Sequence, residues 1–297
     1  MSNKVGNRQK VALVTGASSG IGYATAIELA KRGYKVFAGA RRLEPMELLQ
    51  EYGIIIFKLD VSDLESVKHA KKFIEDKTGE KYLDLLFNNA GQSCTFPALD
   101  VSDENFKLCF EVNVFGPMRL VRELSSLVIN AHGVIAFTGS VSGIIPVPFS
   151  CVYSATKAAI HQYAATLRLE MKPFDVKVIN VVTGGVKTNI ADDRPLPQGS
   201  LFDIPLMKDA LLERQQMAAR NNPITAEKYA YQVVNDFEAA TSTNGPLNVY
   251  RGKMAYFLGH LMYWCPRFIV ESFIVKKFKL TKVFLVLSQK YSKTKLD

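Results

Sequence analysis

The sequence predicts a doubly wound α/β fold: a parallel seven-stranded sheet with helices on both faces, and a basic, apolar helical extension at its end. Three observations predict it. Short β-rich apolar runs alternate with amphipathic helical stretches along most of the chain. The first of these runs leads into a glycine-rich turn and then a helix. The last fifty residues depart from the rest in charge. With 297 residues, 48% of them hydrophobic, the chain can bury one large core and carry a modest appendage. We place the first domain at 1–252 and the extension at 253–297.

Taken in order, strands are expected at 11–15, 35–40, 54–59, 83–87, 133–138, 176–181 and 247–251, with helices between them. The first strand enters Thr15-Gly16-Ala17-Ser18-Ser19-Gly20-Ile21-Gly22, followed by a helix to about Arg32. Strand, glycine-rich turn and helix in succession make a Rossmann-type dinucleotide site. Gly16 lets the chain turn, Gly20 lets the backbone approach a pyrophosphate, and Gly22 allows close helix contact; the helix N-terminus favours the negative charge. After the second strand the chain reads Gly39-Ala40-Arg41-Arg42. An acid there would accept hydrogen bonds from ribose hydroxyls and repel a 2′-phosphate; Arg41 can instead bind that phosphate, so NADPH is the expected cofactor.

Tyr153-Ser154-Ala155-Thr156-Lys157 opens a long alanine-rich segment running to Met171, with Pro173 where a helix should stop. Helical spacing puts Tyr153 and Lys157 on one face, where an ammonium can favour the ionised phenol and make it a usable acid or base. Asp60 follows the third strand, Asn88-Asn89-Ala90-Gly91 the fourth, Asn113 lies in the next helix, and Ser140 stands just past the fifth strand.

These motifs, in this order and spacing over roughly the first 250 residues, resemble the short-chain dehydrogenase/reductase family. The resemblance implies a general-acid role for Tyr153, a hydrogen bond from Ser140 to the substrate oxygen, and a Lys157 that lowers the phenol pKa and binds the nicotinamide ribose. It further implies that Asn113 holds a relay water, Asp60 meets the adenine, Asn89 meets the adenosine ribose, and Val186 and Thr188 meet the carboxamide. Thr183-Gly184-Gly185-Val186-Lys187-Thr188 departs from the family's PGxVxT by a threonine in the proline position, which predicts a looser turn. Within the family, the runs at 40–46, 88–99, 159–163 and 194–197 resemble the members that reduce 1-acyl-dihydroxyacetone phosphate to lysophosphatidic acid. That implies an acylated phospho-ketone lipid substrate and a place in glycerophospholipid and ether lipid synthesis. It also implies a cytosol-facing location at the endoplasmic reticulum and lipid droplets, with the mitochondrial outer membrane left open.

The segment 190–222 suits such a substrate: Leu201, Phe202, Ile204, Leu206 and Met207 for an acyl chain, Arg194, Lys208 and Arg214 for a phosphate. Reduction of another lipophilic ketone, steroid or retinal-like, stays open. So does a lipid serine hydrolase, since Gly16 to Gly20 also satisfies GxSxG, although His69, His132, His161 and His260 show no recognisable late-loop context.

The formal charge of +9 is concentrated in 248–297, which holds ten Lys and Arg against Glu271 and Asp297 and leaves +1 for the rest. A nucleic-acid partner is therefore not expected, because the charge would line the folded domain. Cys94, Cys109, Cys151 and Cys265 form no CxxC pair and no metal-ligand spacing with the histidines, so no metal and a reduced, cytosol-facing protein are expected. Met1 to Lys10 has no apolar signal-peptide core. The apolar runs at 254–265 and 268–275 are too short to span a bilayer, and with Trp264, Tyr256, Tyr263 and Lys276, Lys277, Lys279 and Lys282 they suit an in-plane membrane or lipid-droplet surface. Burial in a homodimer is the other reading of the same helices.

Overall fold

The computed structural model describes residues 8–79, 81–188, 190 and 192–292; the signal-peptide reading at Met1 to Asn7 and the lysines at 293 and 295 lie outside them. Seven parallel strands run β1 Val11–Thr15, β2 Lys35–Ala40, β3 Ile55–Lys58, β4 Leu85–Asn88, β5 Val134–Thr138, β6 Lys177–Thr183 and β7 Asn248–Arg251. Their order in the sheet is β3-β2-β1-β4-β5-β6-β7. The expected strands are all present, with ends shifted by up to two residues. β6 runs on to Thr183 because Val182 and Thr183 pair with Tyr250 and Arg251 of β7.

Alternation along each strand feeds two cores. Val11 and Leu13 face one side with Ile135 and Phe137; Ala12 and Val14 face the other with Ala136 and Val181. The helices are α1 Gly20–Lys31, α2 Leu64–Thr78, α3 Asp103–Phe110, α4 Gly116–Ala131, α5 Cys151–Met171, α6 Met207–Gln215, α7 Met217–Arg220, α8 Ala226–Ala239, α9 Ala255–Trp264, α10 Arg267–Lys277 and α11 Leu280–Ser292. The first core is closed by α2, α4 and α5, through Val67, Leu124 and Ile160. The second is closed by α1 and α8, through Leu29, Val233 and Phe237. α5 ends at Met171, followed by a single 3-10 turn, Lys172–Phe174, that contains Pro173, and Asp175 takes a left-handed conformation.

Strand order reverses between β1 and β4, so the loops after their carboxyl ends open a cleft there, the place where this architecture binds ligands. The carboxyl-terminal helices do not stand apart. Phe278, Leu280 and Val283 bury themselves with Met207 and Ala210 of α6 and with Phe149, forming a third, smaller core. Lys279 Nζ reaches Glu213 Oε1 of α6 at 2.7 Å. No helix among the described residues is long and apolar enough to cross a membrane.

Candidate active site

The glycine-rich turn sits at the switch point. Gly16 has φ +66° and passes so close to β4's exit that a Cβ would lie 2.7 Å from Ala90 Cα. A Cβ on Gly22 would lie 2.4 Å from the Gly16 carbonyl oxygen, so α1 can only approach the turn without a side chain there. Ser19 precedes α1 in an extended conformation, and its side chain caps none of the first-turn amides, which leaves them free for an anion. Ser18 and Ile21 are half-buried beside it, and Thr188 lies across the turn, its Cγ2 3.1 Å from where a Cβ of Gly20 would be.

Arg41 is exposed at the end of β2 and pairs with no carboxylate among the described residues. Ala40 fills the place of the ribose-binding acid. Asp60 accepts from the Ser62 amide at 2.9 Å and the Ser62 hydroxyl at 2.6 Å, both through Oδ1. The cradle, the open helix terminus and the unpaired guanidinium fit a dinucleotide with a 2′-phosphate.

Two asparagines are more occupied than the sequence suggested. Asn89 donates to the Thr15 and Gly16 carbonyls at 3.0 and 3.4 Å and accepts from Thr138 Oγ1 at 3.1 Å, lacing β1, β4 and β5 together. A contact from Asn89 to a ribose would therefore come from its main chain. Asn113 stands not in a regular α-helix but in one π-helical turn, Glu111–Phe115, between α3 and α4. Its Oδ1 accepts from the Gln92 amide at 2.7 Å, and its Nδ2 donates to the Gln92 carbonyl at 2.9 Å and to Thr156 Oγ1 at 3.0 Å. Thr156 in turn donates to the Tyr153 carbonyl at 2.7 Å. The asparagine carboxamide thus anchors the first turns of α5, and any relay water would be held by its backbone.

Lys157 is buried and donates to the Thr138 carbonyl at 2.8 Å, with Nζ 5.6 Å from the Tyr153 ring centroid. A Cβ on Gly91 would lie 3.8 Å from that Nζ and 3.6 Å from Asn113 Oδ1, so three motifs distant in sequence meet at one point. Burial pulls Lys157 down to about 8. Burial also pushes the Tyr153 phenol up to about 12, opposed by its hydrogen bond with Ser140 and by the positive charge of Arg214. The expected lowering by Lys157 is thus not what this arrangement shows: the ammonium is turned to the Thr138 carbonyl, and desolvation dominates.

His161 is a member of the site that the sequence reading left unused. Its Nε2 accepts the Ser140 amide at 3.1 Å, so that nitrogen is unprotonated, and burial followed by the nearby Lys157 charge takes the ring down to about 4. The signal was present: His161 lies four residues after Lys157 and eight after Tyr153, on the same face of α5. The turn after β6 is firm, not loose. Thr183 Oγ1 pairs with Tyr229 OH at 2.6 Å, and the Gly184 and Gly185 amides donate to the Arg251 and Lys253 carbonyls, each at 2.9 Å. The threonine supplies a hydroxyl link to α8 that proline could not make. Val186 is buried behind this turn.

Arg194 is also corrected. It grips Asp192 through two 2.7 Å bonds and Asn105 through one of 2.6 Å, so it is neutralised. Ser18 hydrogen-bonds no histidine among the described residues: His69 is on α2, His132 caps α4 and contacts the Phe174 carbonyl, His161 serves Ser140, and His260 is on α9. The serine-hydrolase alternative therefore lacks its base. All four cysteines are free, and no cluster of metal-binding side chains occurs among the described residues.

The short chain dehydrogenase family profile matches residues 10–198. The NADPH-dependent 1-acyldihydroxyacetone phosphate reductase of Saccharomyces cerevisiae is 49% identical over 294 residues, 98% of each chain. The chain belongs to the short chain dehydrogenase family. The Schizosaccharomyces pombe protein of the same name is 34% identical over 75% of this chain and 76% of its own. A solved short-chain dehydrogenase from Streptomyces avermitilis superposes with a TM-score of 0.72 at 26% identity, covering 98% of this chain and all of that one.

Proposed function

We propose that the protein is an NADPH-dependent oxidoreductase that reduces the ketone of 1-acyl-dihydroxyacetone phosphate to 1-acyl-glycerol 3-phosphate. The observation that carries this reading is the near end-to-end similarity, 49% over 98% of both chains, to the yeast reductase of that name. The site supports the chemistry independently of the substrate.

Gly16, Ser18, Ser19, Gly20, Ile21 and Gly22 would hold the pyrophosphate at the α1 terminus, Arg41 would take the 2′-phosphate, and Asp60 would meet the adenine. Val186 and Thr188 would hold the carboxamide, and Lys157, whose Nζ donates to the Thr138 carbonyl, would bind the nicotinamide ribose. When bound, NADPH supplies the hydride that adds to the ketone carbon. As charge grows on the carbonyl oxygen, Ser140 and Tyr153 point hydrogen-bond donors at it, and the Tyr153 phenol gives its proton to form the alcohol. A phenol held above neutral pH is protonated in the resting enzyme, which suits an acid in the reductive direction. His161 keeps Ser140 aimed, and Asn113 keeps α5 in register.

A membrane or lipid-droplet surface, on the cytosolic face of the endoplasmic reticulum, is the proposed place of work. α9 to α11 leave Trp264 86% and Tyr263 78% exposed, together with Phe268, Phe273 and Leu285, among Lys276, Lys277 and Lys282. The test of the reaction is NADPH oxidation by purified enzyme with 1-acyl-dihydroxyacetone phosphate, dihydroxyacetone phosphate, a steroid ketone and retinal. The acylated phospho-ketone should give the highest kcat/KM; a higher value with the steroid or retinal overturns the substrate.

A further inference from the structure

Three cations of the segment 190–222 are candidates for the substrate's phosphate, and the structure separates them. Arg194 is spent on Asp192 and Asn105. Lys208 is exposed near the start of α6. Arg214, one and a half turns further on, turns inward. Its Nε donates to the Pro148 carbonyl and the Ser150 hydroxyl, each at 3.1 Å, and Nη2 also donates to Ser150 Oγ. Ser150 is fully buried at the head of α5, three residues before Tyr153.

Arg214 has no carboxylate partner among the described residues, whereas nearby Arg220 and Lys279 are both paired with Glu213. Desolvation disfavours its charge, Tyr153 and Arg214 feel each other's fields, and the Asp192 carboxylate, already gripped by Arg194, adds a favourable field without a contact. A guanidinium kept half-buried with neutral acceptors alone is costly unless an anion completes it. Its Nη1 has no partner among the described residues, so one edge of the fork remains to be filled.

We infer that Arg214, fixed by Ser150 and Pro148 beside Tyr153, is the receptor for the substrate's phosphate group. This rests on the proposed substrate, in which the phosphate ester is one methylene from the reacting carbonyl carbon. A donor that binds it must therefore stand beside the proton donor, as Arg214 does, and not at the rim with Lys208. The planar fork suits bidentate phosphate binding and sets which way the ketone faces.

The experiment compares 1-acyl-dihydroxyacetone phosphate with its dephosphorylated 1-acyl-dihydroxyacetone, at one acyl length, as substrates of wild type, Arg214→Gln, Arg214→Lys and Lys208→Gln. Wild type should prefer the phosphorylated ketone. Arg214→Gln should lower the ratio of the two kcat/KM values roughly 10- to 100-fold, the loss of one charge-assisted contact, mostly through KM. Arg214→Lys should restore part of the ratio, and Lys208→Gln should shift it less than about twofold, as expected of a solvated charge. In wild type, dihydroxyacetone phosphate should compete with the dephosphorylated ketone where dihydroxyacetone does not, a readout that needs no variant. If wild type discriminates but both Arg214 variants keep the full ratio, the inference is overturned while the substrate stands. If the variants lose NADPH affinity in a fluorescence titration and keep the ratio, the guanidinium serves the cofactor and the inference is overturned. If wild type itself shows no preference and no competition, the substrate reading falls and the inference with it.

Discussion

Tyr153 is placed to act by contacts that differ in kind: a hydroxyl neighbour in Ser140, an anchored carbonyl through Thr156 and Asn113, and a field from Arg214. Replacing it with phenylalanine removes one oxygen and leaves the ring. Tyr153→Phe should lower kcat by roughly 10²- to 10⁴-fold, with NADPH affinity retained by fluorescence titration, since proton transfer contributes on that order. At the other end of the cleft, Ala40→Asp with Arg41→Ala would exchange the proposed 2′-phosphate partner for a ribose partner. The kcat/KM ratio of NADPH to NADH should fall by at least tenfold, and an unchanged ratio would place the 2′-phosphate elsewhere. His161 gives a pH signature. The fold holds it neutral down to about 4, whereas an unfolded histidine protonates near 6.5. The unfolded chain thus binds the extra proton first, and stability present above pH 6.5 is lost as pH falls towards 4, by about 3 kcal/mol at 1.36 kcal/mol per unit. Urea unfolding of wild type between pH 7 and 4 should show this fall, and His161→Gln should lack it.

Among the elements, α6 joins two tasks. Its inward side presents Arg214 to the site, and its apolar side, Met207 and Ala210, lies under Phe278, Leu280 and Val283 of the carboxyl-terminal helices. The extension therefore braces α6, the helix that carries Arg214, and is the proposed membrane surface as well. A chain cut after Arg251 would remove Phe278, Leu280 and Val283 and so uncover Met207 and Ala210 of α6. Leu280→Ala, at a site only 2% exposed, should cost about 2–4 kcal/mol in urea unfolding and raise KM for the lipid substrate, although Leu280 belongs to α11 and not to the catalytic motifs. The exposed side of the same helices can be changed without touching that brace. Trp264→Ser with Phe268→Ser and Phe273→Ser should keep the unfolding midpoint and weaken co-sedimentation with vesicles at least tenfold, because each aromatic buried in a bilayer boundary contributes on the order of 1.5–3 kcal/mol.

For the whole molecule the governing feature is separation of charge. Residues 248–297 carry +8 of the +9, next to exposed aromatics, while residues 1–247 are close to neutral. On the proposed membrane reading, such a surface would combine apolar insertion with attraction to anionic headgroups, at about 1 kcal/mol per basic residue near the surface. Full-length protein should pellet with vesicles of phosphatidylcholine and phosphatidylserine. Added salt should lower the bound fraction, and detergent should abolish it. Protein that stays in the supernatant under those conditions would overturn the membrane reading and leave the tail to the fold or to a homodimer.

The sequence by itself determined the sheet and the order of its motifs, because both are written locally. Strand alternation has a period of two, the turn after β1 needs glycines, and Tyr153 and Lys157 are set by their spacing along one helix. Tertiary structure alone decided which partner each polar group found. Asn89 and Asn113 turned out to be braces because their carboxamides meet chain segments tens of residues away. Arg194 and Arg214 looked alike in sequence, yet one closes on Asp192 two residues off and the other reaches Ser150 across 64 residues. Hydrogen bonds over such separations follow from how elements stack, which no local pattern encodes, and the same holds for the tail: its composition speaks of a surface, while its position on α6 comes only from the fold.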